Sequence, residues 1–133
     1  MLPILLLLAG AAFTAPVALT ATADYELAKN PETLGSYVRE YFSETPIMAD
    51  IAWCESRFRH LTPEGEIFRG VVNKSDIGVM QINTYYHGAK ASELGIDLHS
   101  LNGNLKYAKY LYEKEGTQPW SSSRPCWGKA KLP

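Results

Sequence analysis

Thr45-Pro46-Ile47-Met48-Ala49-Asp50-Ile51-Ala52-Trp53-Cys54-Glu55-Ser56-Arg57-Phe58 is the stretch on which the fold turns. Proline directly after threonine is a helix start, and the run predicts a helix from Pro46 to about Phe58. At 3.6 residues per turn, with Ile47 set to zero, Cys54 falls at about −20°, Phe58 at about +20°, Ile51 at about +40° and Met48 at about +100°. This arc is the face that turns to a core. Glu55 falls at about +80°, inside the same arc, while Ala49 and Ser56 lie near the middle of the outward side. A carboxyl group in an apolar stripe loses water, which disfavours its charged form and raises its pKa. A raised carboxyl pKa is what a general acid near neutral pH requires. Two other readings stay open at this point. An arginine (Arg57, Arg59 or Arg69) neutralises a buried Glu55, or Glu55 sits at the edge of the arc and reaches solvent.

Outward from this helix, Asn30-Pro31-Glu32 gives an N-cap and a first-turn proline, predicting a helix to about Phe42. Leu61 to Asn73 contains Pro63, Gly65 and Gly70 and reads as a loop with extended pieces around Ile67-Phe68 and Val71-Val72. Ile77 to Ile82 is apolar and too short for periodicity to decide. A short helix is expected around Ala89 to Leu94, ended by Gly95. A long one is expected to start after Asn102 or Asn104 and to end at Gly116. It carries Leu105, Ala108 and Tyr112 on one face and Tyr107, Tyr110 and Leu111 on the other, so it is central. The tail from Thr117, with Trp120, Cys126 and Trp127, reads as irregular but packed. The fold class is mostly α, with a small extended region in the middle, in a single domain over residues 24–133.

The 133 residues are 46% hydrophobic and 11% aromatic, enough to support a core. The net charge of −1 argues against a dedicated nucleic-acid binder. Met1 to Ala23 holds no charged side chain, carries the run Ile4 to Leu8, and closes on Ala21-Thr22-Ala23, an A-x-A cleavage pattern. Residues 1–23 therefore read as a signal peptide, although only the terminal amine supplies positive charge ahead of the run. A secreted or periplasmic location follows, with no membrane span after cleavage; an uncleaved anchor is the other reading. Export makes Cys54 and Cys126 a disulfide pair, two buried thiols being the alternative. The bond closes 126 − 54 = 72 positions, worth about 4 kcal/mol in the chain-entropy model.

Trp53-Cys54-Glu55-Ser56-Arg57-Phe58 is followed by Asp76-Ile77-Gly78-Val79-Met80-Gln81-Ile82-Asn83, then by Asn104-Leu105 and Tyr110-Leu111. With these segments the chain resembles the lytic transglycosylase and goose-type lysozyme superfamily over about Ile47 to Leu111. The resemblance implies a lysozyme-like α+β fold with a glycan groove. It implies cleavage of the bond between N-acetylmuramic acid and N-acetylglucosamine in peptidoglycan, with glycan strands as the partner; a monomer is expected, although the sequence does not decide the oligomeric state. Glu55 matches the family's catalytic glutamate, Ser56 the serine that helps hold the substrate or the acid, and Gln81 the groove-lining glutamine. Asn83 stands where goose-type enzymes often carry an aspartate. Pro119-Trp120-Ser121-Ser122-Ser123 stands in place of the family's late Ala-Tyr-Asn-Ala-Gly segment.

Most glycosidases use two carboxylates. Here Asp76 is the nearest second candidate, and beside Ser75 it also reads as a turn or capping residue. A single carboxyl group suffices if Glu55 protonates the glycosidic oxygen and its ionised form then takes a proton from the sugar's own 6-hydroxyl, giving a 1,6-anhydromuramoyl end. A hydrolytic lysozyme on the same fold and a non-catalytic glycan-binding envelope protein are the rivals. Asn83, Tyr86, Tyr107 and Trp120 are candidates for substrate contact, through stacking on the pyranose or hydrogen bonding, against a packing role for each. No cofactor is expected. His60, His87 and His99 lack ligand spacing and read as surface or hydrogen-bonded histidines rather than a metal site.

Overall fold

A computed structural model describes residues 25–129 of the chain. The expected signal peptide, residues 1–23, lies outside them. Residues 25–29 are helical and lead to α1 (Pro31–Tyr41). Then come α2 (Ile47–Ser56), β1 (Asp76–Ile77), β2 (Ile82–Asn83), α3 (Thr84–Glu93) and α4 (Leu101–Glu115). The tail is a 3-10 segment, Gln118–Ser123, running into α5 (Arg124–Trp127). The chain is therefore mostly helical with one small antiparallel sheet, Asp76 pairing with Asn83 and Ile77 with Ile82. Among the described residues no helix is long and apolar enough to cross a membrane.

The caps explain where the helices start. Asn30 caps α1 through a bond from the Glu32 amide, with Pro31 in the first turn. Ser100 caps α4 by accepting from the Gly103 amide, so that helix starts at Leu101, ahead of both expected asparagines. Asn83 caps α3 by accepting from the Tyr86 amide. This corrects the expected start near Ala89, because a capping asparagine outweighs the low helix propensity of Thr84, Tyr85 and Tyr86. The loop before β1 is extended only at the bridges Leu61–Ile67 and Arg69–Ile77. Val71 and Val72, expected in an extended piece, stand almost fully exposed in a bend.

Helix α2 sits at the centre of the core. Met48, Ala49, Ile51, Ala52 and Ser56 are all buried, so it is covered on both of the sides that the helical wheel separates. The outward placement of Ala49 and Ser56 is thus corrected. A helix of small and apolar residues all round is a buried helix. Leu34, Val38 and Phe42 of α1 belong to the same core. So do Ile77, Val79, Met80 and Ile82 of the hairpin and Leu105, Tyr107, Ala108 and Leu111 of α4. Helix α2 ends because Arg57 and Phe58 both take left-handed backbone angles. The Arg57 amide closes the last turn onto the Trp53 carbonyl.

The disulfide Cys54–Cys126 is present, with Cα atoms 5.9 Å apart, and it ties α5 to α2 beside Glu55. Trp120 and Trp127 are buried, so the tail is packed, as expected, though it is helical rather than irregular.

Candidate active site

The hairpin turn Ile77 to Gln81 is held by side chains from four other segments. Asn104, fully buried on α4, accepts from the Met80 amide and donates to the Ile77 and Leu98 carbonyls, at 2.9, 3.0 and 3.0 Å. His60 accepts from the Val79 amide through Nδ1 and donates from Nε2 to the His99 carbonyl. These partners fix its neutral tautomer, and burial lowers its pKa in the same sense. The Ser56 hydroxyl lies 2.8 Å from the Val79 carbonyl, and the Trp120 indole donates to the Met80 carbonyl at 2.9 Å.

Gly78 is required here twice over. Its φ is +74°, and a Cβ would lie 2.5 Å from Asn104 Nδ2 and 2.7 Å from His60 Nδ1. The turn delivers Gln81, whose own φ of +51° is rare for a residue with a side chain. Its amide group is anchored on the Gly78 carbonyl at 2.9 Å.

This scaffold forms one wall of a cleft lined by Glu55, Asp76, Gln81, Ile82, Asn83, His87, Leu111, Pro119, Trp120 and Ser122. Larger cavities of about 480 Å³ exist, one lined by Thr84 to His99 and one by Tyr41, Lys106 and Tyr110 among others. Neither brings two carboxylates together, so chemistry rather than size selects the cleft at Glu55.

Glu55 is partly buried, and its pKa is raised, chiefly by loss of water. A hydrogen bond from Ser123 opposes that shift, and the charge of Asp76 adds to it. The three arginines named as neutralising candidates for Glu55 are engaged elsewhere. Arg57 stacks over the Trp53 ring at 3.6 Å. Arg59 stacks over Phe68 and donates to the Ser56 carbonyl, and Arg69 donates to the Lys74 carbonyl. Among the described residues no salt bridge reaches Glu55. Among the described residues Glu55 is therefore a desolvated carboxyl group without a cationic partner.

Asp76 enters the cleft as a strand residue, not as the turn or capping residue that its position beside Ser75 suggested. Asn83 does two things: it caps α3 through Oδ1 and donates from Nδ2 to Asp76 Oδ1 at 2.8 Å. An aspartate at 83 could also cap, but it would set a negative charge against Asp76 instead of a donor.

Comparison of the chain with family models, with curated proteins and with solved structures finds no match. The chemistry of this cleft is carried by its geometry alone.

Of the residues singled out from sequence, Glu55, Gln81, Asn83 and Trp120 line the cleft together. Three do not, and two of these, Ser56 and Tyr107, are corrections. Ser56 is 1% exposed and holds the hairpin turn, also accepting from the Arg59 amide, so it is shut off from any substrate. Tyr107 is 1% exposed; it packs behind the cleft and shares a 3.0 Å hydrogen bond with His87 Nδ1. Tyr86 is exposed on α3 against Tyr85, outside the lining of the cleft. Three polar contributors were not anticipated: Ser123, His87 and Ser122. His87 lies four residues after Asn83 on α3, on the same helix face, which the misplaced helix start concealed. Ser123 lies 68 positions from Glu55, and no local pattern connects the two.

Proposed function

We propose that this chain is a peptidoglycan lytic transglycosylase of the lysozyme-like superfamily that its Glu55-Ser56 and Gly78-to-Asn83 segments resemble. The observation that carries this reading is a single one. Glu55 is a desolvated carboxyl group, shifted toward its neutral form, lining a polar cleft with no arginine beside it.

In this reading the protonated Glu55 gives its proton to the glycosidic oxygen as the C1–O bond of the muramoyl unit breaks. The glucosamine leaves as an alcohol, and positive charge develops at C1. The Asp76 carboxylate, in the same cleft, favours that charge. The 6-hydroxyl oxygen of the muramoyl unit then bonds to C1 and its proton returns to Glu55. One bond breaks, one forms, the acid is regenerated and no water is consumed.

A second reading, hydrolysis, is favoured by one observation, the presence of Asp76 in the cleft, where it could aim a water at C1. Product mass separates the two. Purified sacculi digested with residues 24–133 are expected to release muropeptides with anhydro ends, one water lighter than hydrolysed ones. Reducing ends alone would establish hydrolysis, and no released muropeptide would defeat both enzyme readings in favour of a glycan-binding protein. Secretion through a cleaved leader belongs to the same proposal and is supported by the disulfide.

A further inference from the structure

We propose that Ser123 is the positioning residue of the acid, fixing which oxygen of Glu55 carries the proton. The inference rests on the reading of Glu55 as that acid, and it concerns a residue that nothing in the sequence marks.

The Ser123 hydroxyl has one incoming donor and two candidate acceptors. It has one proton and two lone pairs. The Trp127 indole, which can only donate, points its N–H at Ser123 Oγ from 3.0 Å. The hydroxyl proton then has two acceptors, Glu55 Oε1 at 2.5 Å and the Trp120 carbonyl at 3.1 Å. That carbonyl is also approached by the Trp127 N–H at 3.1 Å, so it has a donor without Ser123. The shorter bond goes to Glu55.

In a neutral carboxyl group the carbonyl oxygen is the better acceptor, so the oxygen that takes the Ser123 hydrogen bond is the less favoured seat of the acid proton. Oε1 is thus kept as an acceptor, and the acid proton belongs on Oε2. No partner among the described residues occupies Oε2, and it is not a buried orphan, while Glu55 itself lines the cleft. The proton is presented where a glycosidic oxygen can take it.

Ser123 also acts after the transfer. Burial and the charge of Asp76 both oppose ionisation of Glu55. Without an opposing group the acid would hold its proton too firmly to give it up. The bond from Ser123 strengthens when Glu55 becomes a carboxylate and so supports the state in which it must act as a base. Ser121 and Ser122, its neighbours, make no bond to Glu55, so the role belongs to one serine of the three.

The test reads Glu55 directly. Protein labelled with carbon-13 at the glutamate carboxyl carbons is titrated by NMR for wild type and Ser123→Ala, with muropeptide release measured across pH. Loss of the hydroxyl is expected to move the Glu55 midpoint upward and to carry the falling alkaline limb of the rate with it. Turnover at the optimum is expected to drop about tenfold, the worth of a hydrogen bond to a charged group. The isosteric pair Ser123→Thr and Ser123→Val repeats the comparison at constant side-chain shape; threonine should keep the wild-type midpoint and valine should not. A midpoint equal in wild type, alanine and valine variants overturns the inference, since a merely structural serine would alter stability and leave the titration in place. A wild-type Glu55 that titrates like a peptide glutamate, or wild-type protein that releases no muropeptide, would instead overturn the reading of Glu55 as the acid.

Discussion

Replacing Glu55 with glutamine is expected to cut muropeptide release from sacculi by at least about 10³-fold, because the one side chain serves as acid and then as base. Glutamine preserves shape and can still accept the Ser123 hydroxyl, so the loss reports on the proton rather than on packing. The same substitution is expected to raise stability at neutral pH. The sign follows from linkage. A carboxyl group whose pKa is higher in the folded state costs stability once pH rises above its unfolded value, because the unfolded chain ionises it more easily. Glu55→Gln removes that cost, so its melting temperature should exceed that of wild type at pH 7, and the two should converge below about pH 4. Rate and stability moving in opposite directions is the signature of a residue kept for chemistry. A variant that releases muropeptides at the wild-type rate would remove Glu55 from the mechanism.

Removing the disulfide should have the largest effect on stability. The Cys54→Ser, Cys126→Ser double variant is expected to lose about 4 kcal/mol in denaturant unfolding, from the 72-position loop that the bond closes. For a domain of this size that is a large share of total stability. The functional effect should be equally visible, because Cys126 stands three residues after Ser123 in the segment that places Trp120 and Ser123 against the site. Reductant should therefore slow wild-type turnover while leaving the double variant unaffected. Unchanged unfolding midpoints in wild type and double variant would show that the tail is held by its tryptophans alone.

The sequence made some of this legible and concealed the rest for definite reasons. The Asn30-Pro31 cap, the apolar surface of the 46–58 segment and the Gly95 and Gly116 stops are local signals, and the helices they predict are present. Glu55 stood out because a charged group in an apolar stripe is locally inconsistent, and such inconsistencies collect at sites of chemistry. The faces of α2 were misjudged because a wheel assumes one buried side, whereas Ser56 is buried by satisfying its hydroxyl on the Val79 carbonyl, across 23 residues. Tyr107 looked available because tyrosine is amphipathic, and only the packed structure shows its hydroxyl committed to His87. Ser123 was legible only in part: the expected Cys54–Cys126 bond brings the tail back to α2 beside Glu55, but no local pattern says which side chain of the tail meets the carboxyl group.

The most direct measurement is the crystal structure of the Glu55→Gln variant with an uncleaved peptidoglycan oligosaccharide. The account predicts a glycosidic oxygen about 3 Å from the residue-55 amide, with sugar lying across Gln81 and the Asp76–Asn83 pair. Sugar bound instead in the cavity between Thr84 and His99, or lying on the exposed Tyr85 and Tyr86 with the cleft at residue 55 empty, would contradict it.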